Sequence, residues 1–172
     1  PYRRQRQMCI RDSMTTDPNT GYLVTGPTNS AENSFKFNGW ELALSMMPTC
    51  DRVLVHELYT SCIEASKILN TDTGFRDSLQ QALAKFPPLK IGKNGEVQEW
   101  MEDFEQAHPN HRHASHLLAL YPFAQISVAH TPELAQAAKK AIDNKLAAPD
   151  WEDVEFSRAN ICLLYTSPSP RD

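Results

Sequence analysis

Glu32 is the only acidic side chain in the loop-like run GYLVTGPTNSAENSF at residues 21–35, and Lys36 is the one basic residue near it. A lone carboxyl in such a loop can serve as a general acid if partial burial raises its proton affinity. The ordinary alternative is a solvated glutamate loosely paired with Lys36. A second run, EVQEWMEDFE at 96–105, gathers Glu99, Glu102 and Asp103 around Trp100. An indole beside carboxylates can hold a sugar, with the apolar ring face stacking on the aromatic and the hydroxyls bonding the acids; this makes Glu99 and Trp100 substrate-binding candidates. The alternative is a buried tryptophan with its acids facing water. The third run, HPNHRHASHLLALYP at 108–122, carries His111, His113 and His116. His113 and His116 share a face if a helix begins near Arg112, and His111 and His113 share one if the chain is extended. Those three could ligate zinc, but no cysteine assists and the spacing fits no closed structural site. Hydrogen bonding by neutral imidazoles in a polar pocket suits them better. In the fourth run, VEFSRANI at 154–161, Ser157, Arg158 and Asn160 interrupt an apolar setting, and Arg158 could equally be a buried ion-pair partner.

These residues need elements to position them. Residues 17–33 are rich in Gly, Pro, Thr and Asn and read as loop. Residues 34–37 and 41–45 flank Asn38-Gly39, a pair suited to a type I′ hairpin turn. From Asp51, the residues Leu54, Leu58, Cys62, Ala65 and Leu69 recur at helical spacing with Val55, Ile63 and Ile68 beside them, which predicts a helix mostly buried on one side and ended by Asn70-Thr71. Asp72 or Thr73 can cap a second helix over 74–86, stopped by Pro87-Pro88. A second small hairpin is predicted across Asn94-Gly95, with arms 89–91 and 96–98. A histidine-bearing loop over 106–115 leads to a short apolar helix at 117–121, ended by Pro122. Thr131 can cap a helix over 132–146, with Pro132 at its first position. Residues 147–155 read as loop, and an interrupted helix begins at Phe156.

The two ends are of another kind. Residues 3–13, RRQRQMCIRDS, can be back-translated into codons containing AGATGTGTATAAGAGACAG. Residues 162–172, CLLYTSPSPRD, can be written with the reverse complement, CTGTCTCTTATACACATCT, when the codon of Ile161 ends in C. The pair resembles the transposase mosaic end and the adapters of sequencing libraries. On that reading residues 1–13 and 162–172 are translated adapter, and 14–161 is a fragment of a larger catalytic domain, so the end runs do not enter fold reasoning.

Setting aside Arg3, Arg4, Arg6, Arg11, Arg171, Asp12 and Asp172 from the chain's 17 basic and 21 acidic residues leaves 12 and 19, a formal charge of −7. Such a balance argues against a nucleic-acid or anionic-membrane surface. No apolar run reaches the 18 or so residues of a membrane span. Cys50 and Cys62 have no metal-type spacing. The oligomeric state stays open, and so does localisation: on the fragment reading the true N-terminus is missing, and the parent could be secreted or periplasmic.

The runs VTGPTNSAEN, IGKNGEVQEWMEDFE, HPNHRHASHLLALYPFAQI and EFSRANI, in that order, resemble glycoside hydrolase family 95, the α-L-fucosidases that include 1,2-α-L-fucosidases. The resemblance covers nearly all of residues 20–161. It implies a fold that is mainly α, here a partial (α/α)6 barrel with two small β-hairpins, and a sugar pocket in the loops at one end. It also implies hydrolysis with inversion, in which an acid protonates the leaving oxygen and a separate base activates water. The family's acid, in a GPxxSPEN-like loop, falls on Glu32, with Ala31 where proline is usual. Its base, an Asp in an IDGNFG-like motif after the SRAN stretch, has no counterpart in 162–172. Its asparagine pair that polarises water lies upstream of residue 14. The fucose contacts of the family fall on His113 or His116 and on Trp100. The implied partner is a fucosylated oligosaccharide or glycan, with no cofactor and no metal, and the fragment alone is expected to be inactive. An α-L-galactosidase of the same family is an alternative, since a methyl-lined pocket separates the two sugars weakly. A non-catalytic carbohydrate-binding fragment is another. Glu32, Trp100 and the His113/His116 pair are expected to gather round one cavity.

Overall fold

The computed structural model describes residues 13–147. The expectations for the two end runs, Ser13 apart, and for Ser157, Arg158 and Asn160 lie outside the described residues. Three α-helices carry most of the regular structure: α1 at Thr49–Leu69, α2 at Thr73–Leu83 and α3 at Pro132–Ala147. A 3-10 helix spans Ser115–Ala119. Among the described residues six short strands precede α1, namely β1 Thr15–Thr16, β2 Leu23–Val24, β3 Thr28–Asn29, β4 Phe35–Phe37, β5 Trp40–Leu42 and β6 Leu44–Ser45, and a seventh, β7 Glu105–Gln106, lies between α2 and the 3-10 helix. They pair antiparallel as β1-β2, β3-β6 and β5-β4-β7. The described residues thus show the mainly helical content with small antiparallel sheets.

The hairpin at Asn38-Gly39 forms as expected. Phe37 pairs with Trp40, and both loop residues have positive φ, 50° and 81°, as a type I′ turn requires. Its second arm is shorter than predicted. Leu44 and Ser45 leave it to pair with Asn29 and Thr28, which turns part of the predicted loop into strand. Gly26 makes this close crossing possible: a Cβ there would lie 3.0 Å from the Ser45 carbonyl oxygen and 3.2 Å from the Met46 Cα. The second hairpin reduces to one bridge, Ile91 with Val97.

Helix α1 starts near the expected place and ends at Asn70, whose left-handed conformation lets its N–H reach the carbonyls of Ser66 and Lys67. The helix is buried mostly on one side as expected, but that side centres on Val55 and Ile63, beside the stripe, and not on the stripe itself. Val55, Tyr59, Ile63 and Ser66 are buried, whereas Leu54, Ala65 and Leu69 are exposed. Apolar residues occupy both sides of this helix, so periodicity alone could not choose the face. The choice follows the partners, since Val24, Met47, Leu79, Ala82 and Phe86 close one core cluster with Val55, Tyr59 and Ile63. A second cluster joins Val53 to Leu117, Ala119, Ile126 and the small-residue face Ala137, Ala138, Ala141 and Ile142 of α3. Helix α2 ends at Leu83, earlier than predicted, and Asp72 precedes it in the left-handed region without a side-chain cap. The Thr131 hydroxyl bonds back to Ser127, accepting from its N–H at 2.8 Å.

Candidate active site

The N-terminus of α1 organises the surroundings of Glu32. Asp51, in its first turn, accepts hydrogen bonds from the hydroxyls of Thr25 at 3.0 Å and Thr28 at 2.7 Å. An acid there also opposes the positive end of the helix dipole. Thr49 donates from its N–H to the Glu99 carbonyl at 2.9 Å and from its hydroxyl to the Gln98 carbonyl at 2.6 Å. One helix end therefore holds both the 25–33 loop and the 98–99 segment.

The loop then tightens on itself. Ala31 and Glu32 both have positive φ, 42° and 68°, which side-chain-bearing residues adopt uncommonly. The Asn29 side chain supports the turn: its Oδ1 accepts the Glu32 N–H, and its Nδ2 donates to the carbonyls of Asn33 and Ala43. The Glu32 carboxyl projects outward, its side chain 70% exposed, and accepts a hydrogen bond of 2.6 Å from Arg112. His113 Nε2 lies 3.7 Å from the same oxygen. Exposed pairs add only about 0–1 kcal/mol to stability. Arg112 and His113 thus define where the carboxylate points more than they hold the fold.

Beneath this surface lies a buried polar cluster. Glu99, 3% exposed, accepts from Ser30 Oγ at 3.0 Å and Asn33 Nδ2 at 2.9 Å, and lies 3.4 Å from His116 Nδ1. Ser30, Asn33 and His116 are fully buried. Burial pushes the Glu99 carboxyl up, but His116, the Asn33 hydrogen bond and Lys145 outweigh it and hold the group below its ordinary value. The Lys145 ammonium donates to the His111 carbonyl at 3.1 Å, and burial lowers its pKa against the pull of Glu99 and Glu96. Neither ring nitrogen of His116 makes a hydrogen bond of normal geometry among the described residues, Nδ1 facing the Glu99 carboxylate at 3.4 Å.

The structure therefore brings Glu32 together with His113, and Glu99 together with His116, one pair above the other. Trp100, expected as a stacking platform, is a core residue here. It is 1% exposed, with Phe35 edge-on at a ring-centroid distance of 5.2 Å and Phe104 at 6.5 Å. Glu99 and His116 likewise lie below the surface, where their contacts are with protein. A cleft of about 140 Å³ runs beside the 96–106 segment, lined by Glu99, Trp100, Glu102, Glu105 and Lys145 among others. Glu32, His113 and His116 are not among its lining residues. The histidines do not converge on a metal either: the His111 and His113 rings sit 5.3 Å apart, while His116 turns to Glu99.

The sequence model of the glycosyl hydrolase family 95 catalytic domain matches residues 4–167. The chain belongs to glycosyl hydrolase family 95. Among its relatives, alpha-L-fucosidase 2 of Arabidopsis thaliana is 36% identical over 134 residues, 76% of this chain and 16% of that protein. Probable alpha-fucosidase A of Aspergillus oryzae is 29% identical over 120 residues, 64% of this chain and 15% of that protein. The chain thus spans about one sixth of the length of these curated relatives. Family 95 catalytic domains are of the (α/α)6-barrel type, and the described residues contribute three helices and small antiparallel sheets to that comparison.

Within this family 95 segment, reasoning from sequence missed Ser30, Asn33 and Arg112 as individual actors. Their signal was present: Ser30 and Asn33 bracket Glu32 in the same short run, and Arg112 sits between two histidines. What sequence could not show is that Arg112, 80 positions away, turns its guanidinium onto Glu32.

Proposed function

We propose that this segment belongs to the catalytic domain of an inverting α-L-fucosidase that removes terminal α-L-fucose from glycans, with Glu32 as general acid. The observation that carries the reading is the Glu32 carboxyl itself. It stands outward on a strained, internally bonded turn, within reach of Arg112 and His113, in a chain of family 95. A proton donor must reach the leaving glycosidic oxygen from a fixed position, and the turn supplies that position. Arg112 and His113 would orient the carboxyl and meet sugar hydroxyls beside it.

Inversion needs a second carboxylate, roughly 6.5–9.5 Å from the acid, to activate water on the opposite face of the ring. The resemblance puts that base downstream of the SRAN stretch, so this chain expressed alone releases no fucose. The test uses the full-length protein to which the segment belongs and an α-L-fucosyl oligosaccharide, following the first-formed sugar by proton NMR. Initial release of β-L-fucose is the expected result. Initial release of the α-anomer would remove the inverting mechanism, and no release of fucose would remove the substrate.

A further inference from the structure

We infer that Glu99 is a positioning residue for the general acid, clamping from below the turn that carries Glu32. The inference rests on the reading of Glu32 given above and adds to it a role for a buried carboxylate.

The geometry is specific. Glu99 uses its two oxygens on two different residues of one turn, Oε1 for the Ser30 hydroxyl and Oε2 for the Asn33 amide. These residues stand two before and one after Glu32. The turn between them is closed by the Asn33 N–H on the Ser30 carbonyl at 2.9 Å. It contains two consecutive non-glycine residues in the left-handed region, Ala31 and Glu32. Such conformations cost on the order of 1–3 kcal/mol each and persist only where surroundings over-determine them. Glu99 and Asn29 are those surroundings. Asn29 holds the Glu32 backbone N–H and the Asn33 carbonyl, and Glu99 holds the side chains on either side.

Glu99 is itself fixed. Its backbone carbonyl takes the Thr49 N–H at the start of α1, and its carboxylate faces His116 of the 3-10 helix at 3.4 Å. The 3-10 helix packs against α1, and the chain leading into it carries Arg112 and His113, which meet Glu32 from the other side. A buried carboxylate is costly unless each oxygen is matched by donors or a cation. Here Ser30 and Asn33 flank Glu32, and His116 follows the segment of Arg112 and His113, while Lys145 adds its charge from α3. The chain thus has a ring of contacts running from Glu99 to the turn, to Glu32, to Arg112 and His113, to His116 and back to Glu99. Loss of the Glu99 charge releases the turn while leaving the outward residues chemically intact.

The consequence is a defect confined to proton donation. A fucoside with an alkoxide leaving group needs the acid, whereas fluoride leaves α-L-fucosyl fluoride with little need for a proton. In the full-length enzyme, Glu99→Gln and Glu32→Gln are compared with the unaltered protein on both substrates, together with Ser30→Ala and Asn33→Ala, which each remove one clamp bond. We expect Glu99→Gln to lower kcat on the alkyl fucoside about 10²-fold, the size of a general-acid contribution, and to leave the fluoride rate within about tenfold. Ser30→Ala and Asn33→Ala should show the same selectivity with smaller losses. Equal losses on both substrates for all three variants would overturn the inference in favour of a general structural role, and so would unaltered rates on both. If Glu99→Gln fails to fold, Ser30→Ala and Asn33→Ala decide by the same criterion. Failure of the Glu32 assignment is a distinct outcome, seen as a full alkyl-fucoside rate in Glu32→Gln.

Discussion

At the scale of single residues, what decides behaviour is whether a polar group has its partners. Glu99 was legible as a candidate from its place beside Trp100, but its burial was not, because sequence cannot tell an acid facing water from one matched by Ser30 and Asn33 some 66–69 positions away. Its folded-state pKa lies below the ordinary value of 4.5. A depressed carboxyl stabilises the fold above its unfolded pKa, and that stabilisation is lost as pH falls through the folded pKa. Thermal unfolding of this chain should therefore show a stability loss below about pH 4.5 that Glu99→Gln largely lacks. An unchanged acid limb in the variant would place the acid sensitivity elsewhere. Cys50 gives a second residue-scale prediction. Burial and the neighbouring Asp51 push its thiol up to about 11. Only thiolate reacts, so iodoacetamide at pH 8 should label Cys62 well before Cys50, as read by mass spectrometry of the digested folded chain. Faster labelling of Cys50 would contradict its burial.

At the scale of elements, the strongest local signals held, and the face of α1 held only in part. Asn38-Gly39 fixed a hairpin because its turn chemistry is local. The extent of α1 was readable for the same reason, through its length, its periodicity and Asn70. Which side of α1 is buried depends on α2 and on Val24, which no window along α1 contains. The β3-β6 pairing was missed because two-residue strands leave no alternation to read. The observed face makes a testable contrast. Ile63→Ala should cost about 2–5 kcal/mol, as large-to-small changes in a core do, whereas Leu69→Ala should change stability by under about 0.5 kcal/mol, as at an exposed site. Urea titration followed by circular dichroism checks both. A larger loss at Leu69 would restore the stripe that periodicity favoured.

At the scale of the molecule, the described residues leave a good deal of apolar surface open. Trp40 is 73% exposed, Leu44 63%, Ile68 82% and Leu69 71%. Surfaces of this kind are normally covered by a neighbour or mark a tendency to associate. The chain spans about one sixth of its family 95 relatives, and we propose that further parts of the catalytic domain cover these residues. Expressed alone, the chain should bind a hydrophobic dye and elute from gel filtration as associated species. A monodisperse monomer that ignores the dye would contradict this.

The central claim is that the Glu32 carboxyl delivers a proton to the leaving glycosidic oxygen. Initial rates of fucose release from an α-L-fucosyl oligosaccharide, measured for the full-length enzyme and its Glu32→Gln variant, test it most directly. Glutamine keeps the shape of the side chain and can still meet Arg112, but it has no acidic proton to give. A fall in kcat of at least about 10²-fold with little change in KM is the predicted result. A variant that keeps the unaltered rate would remove Glu32 from the acid role.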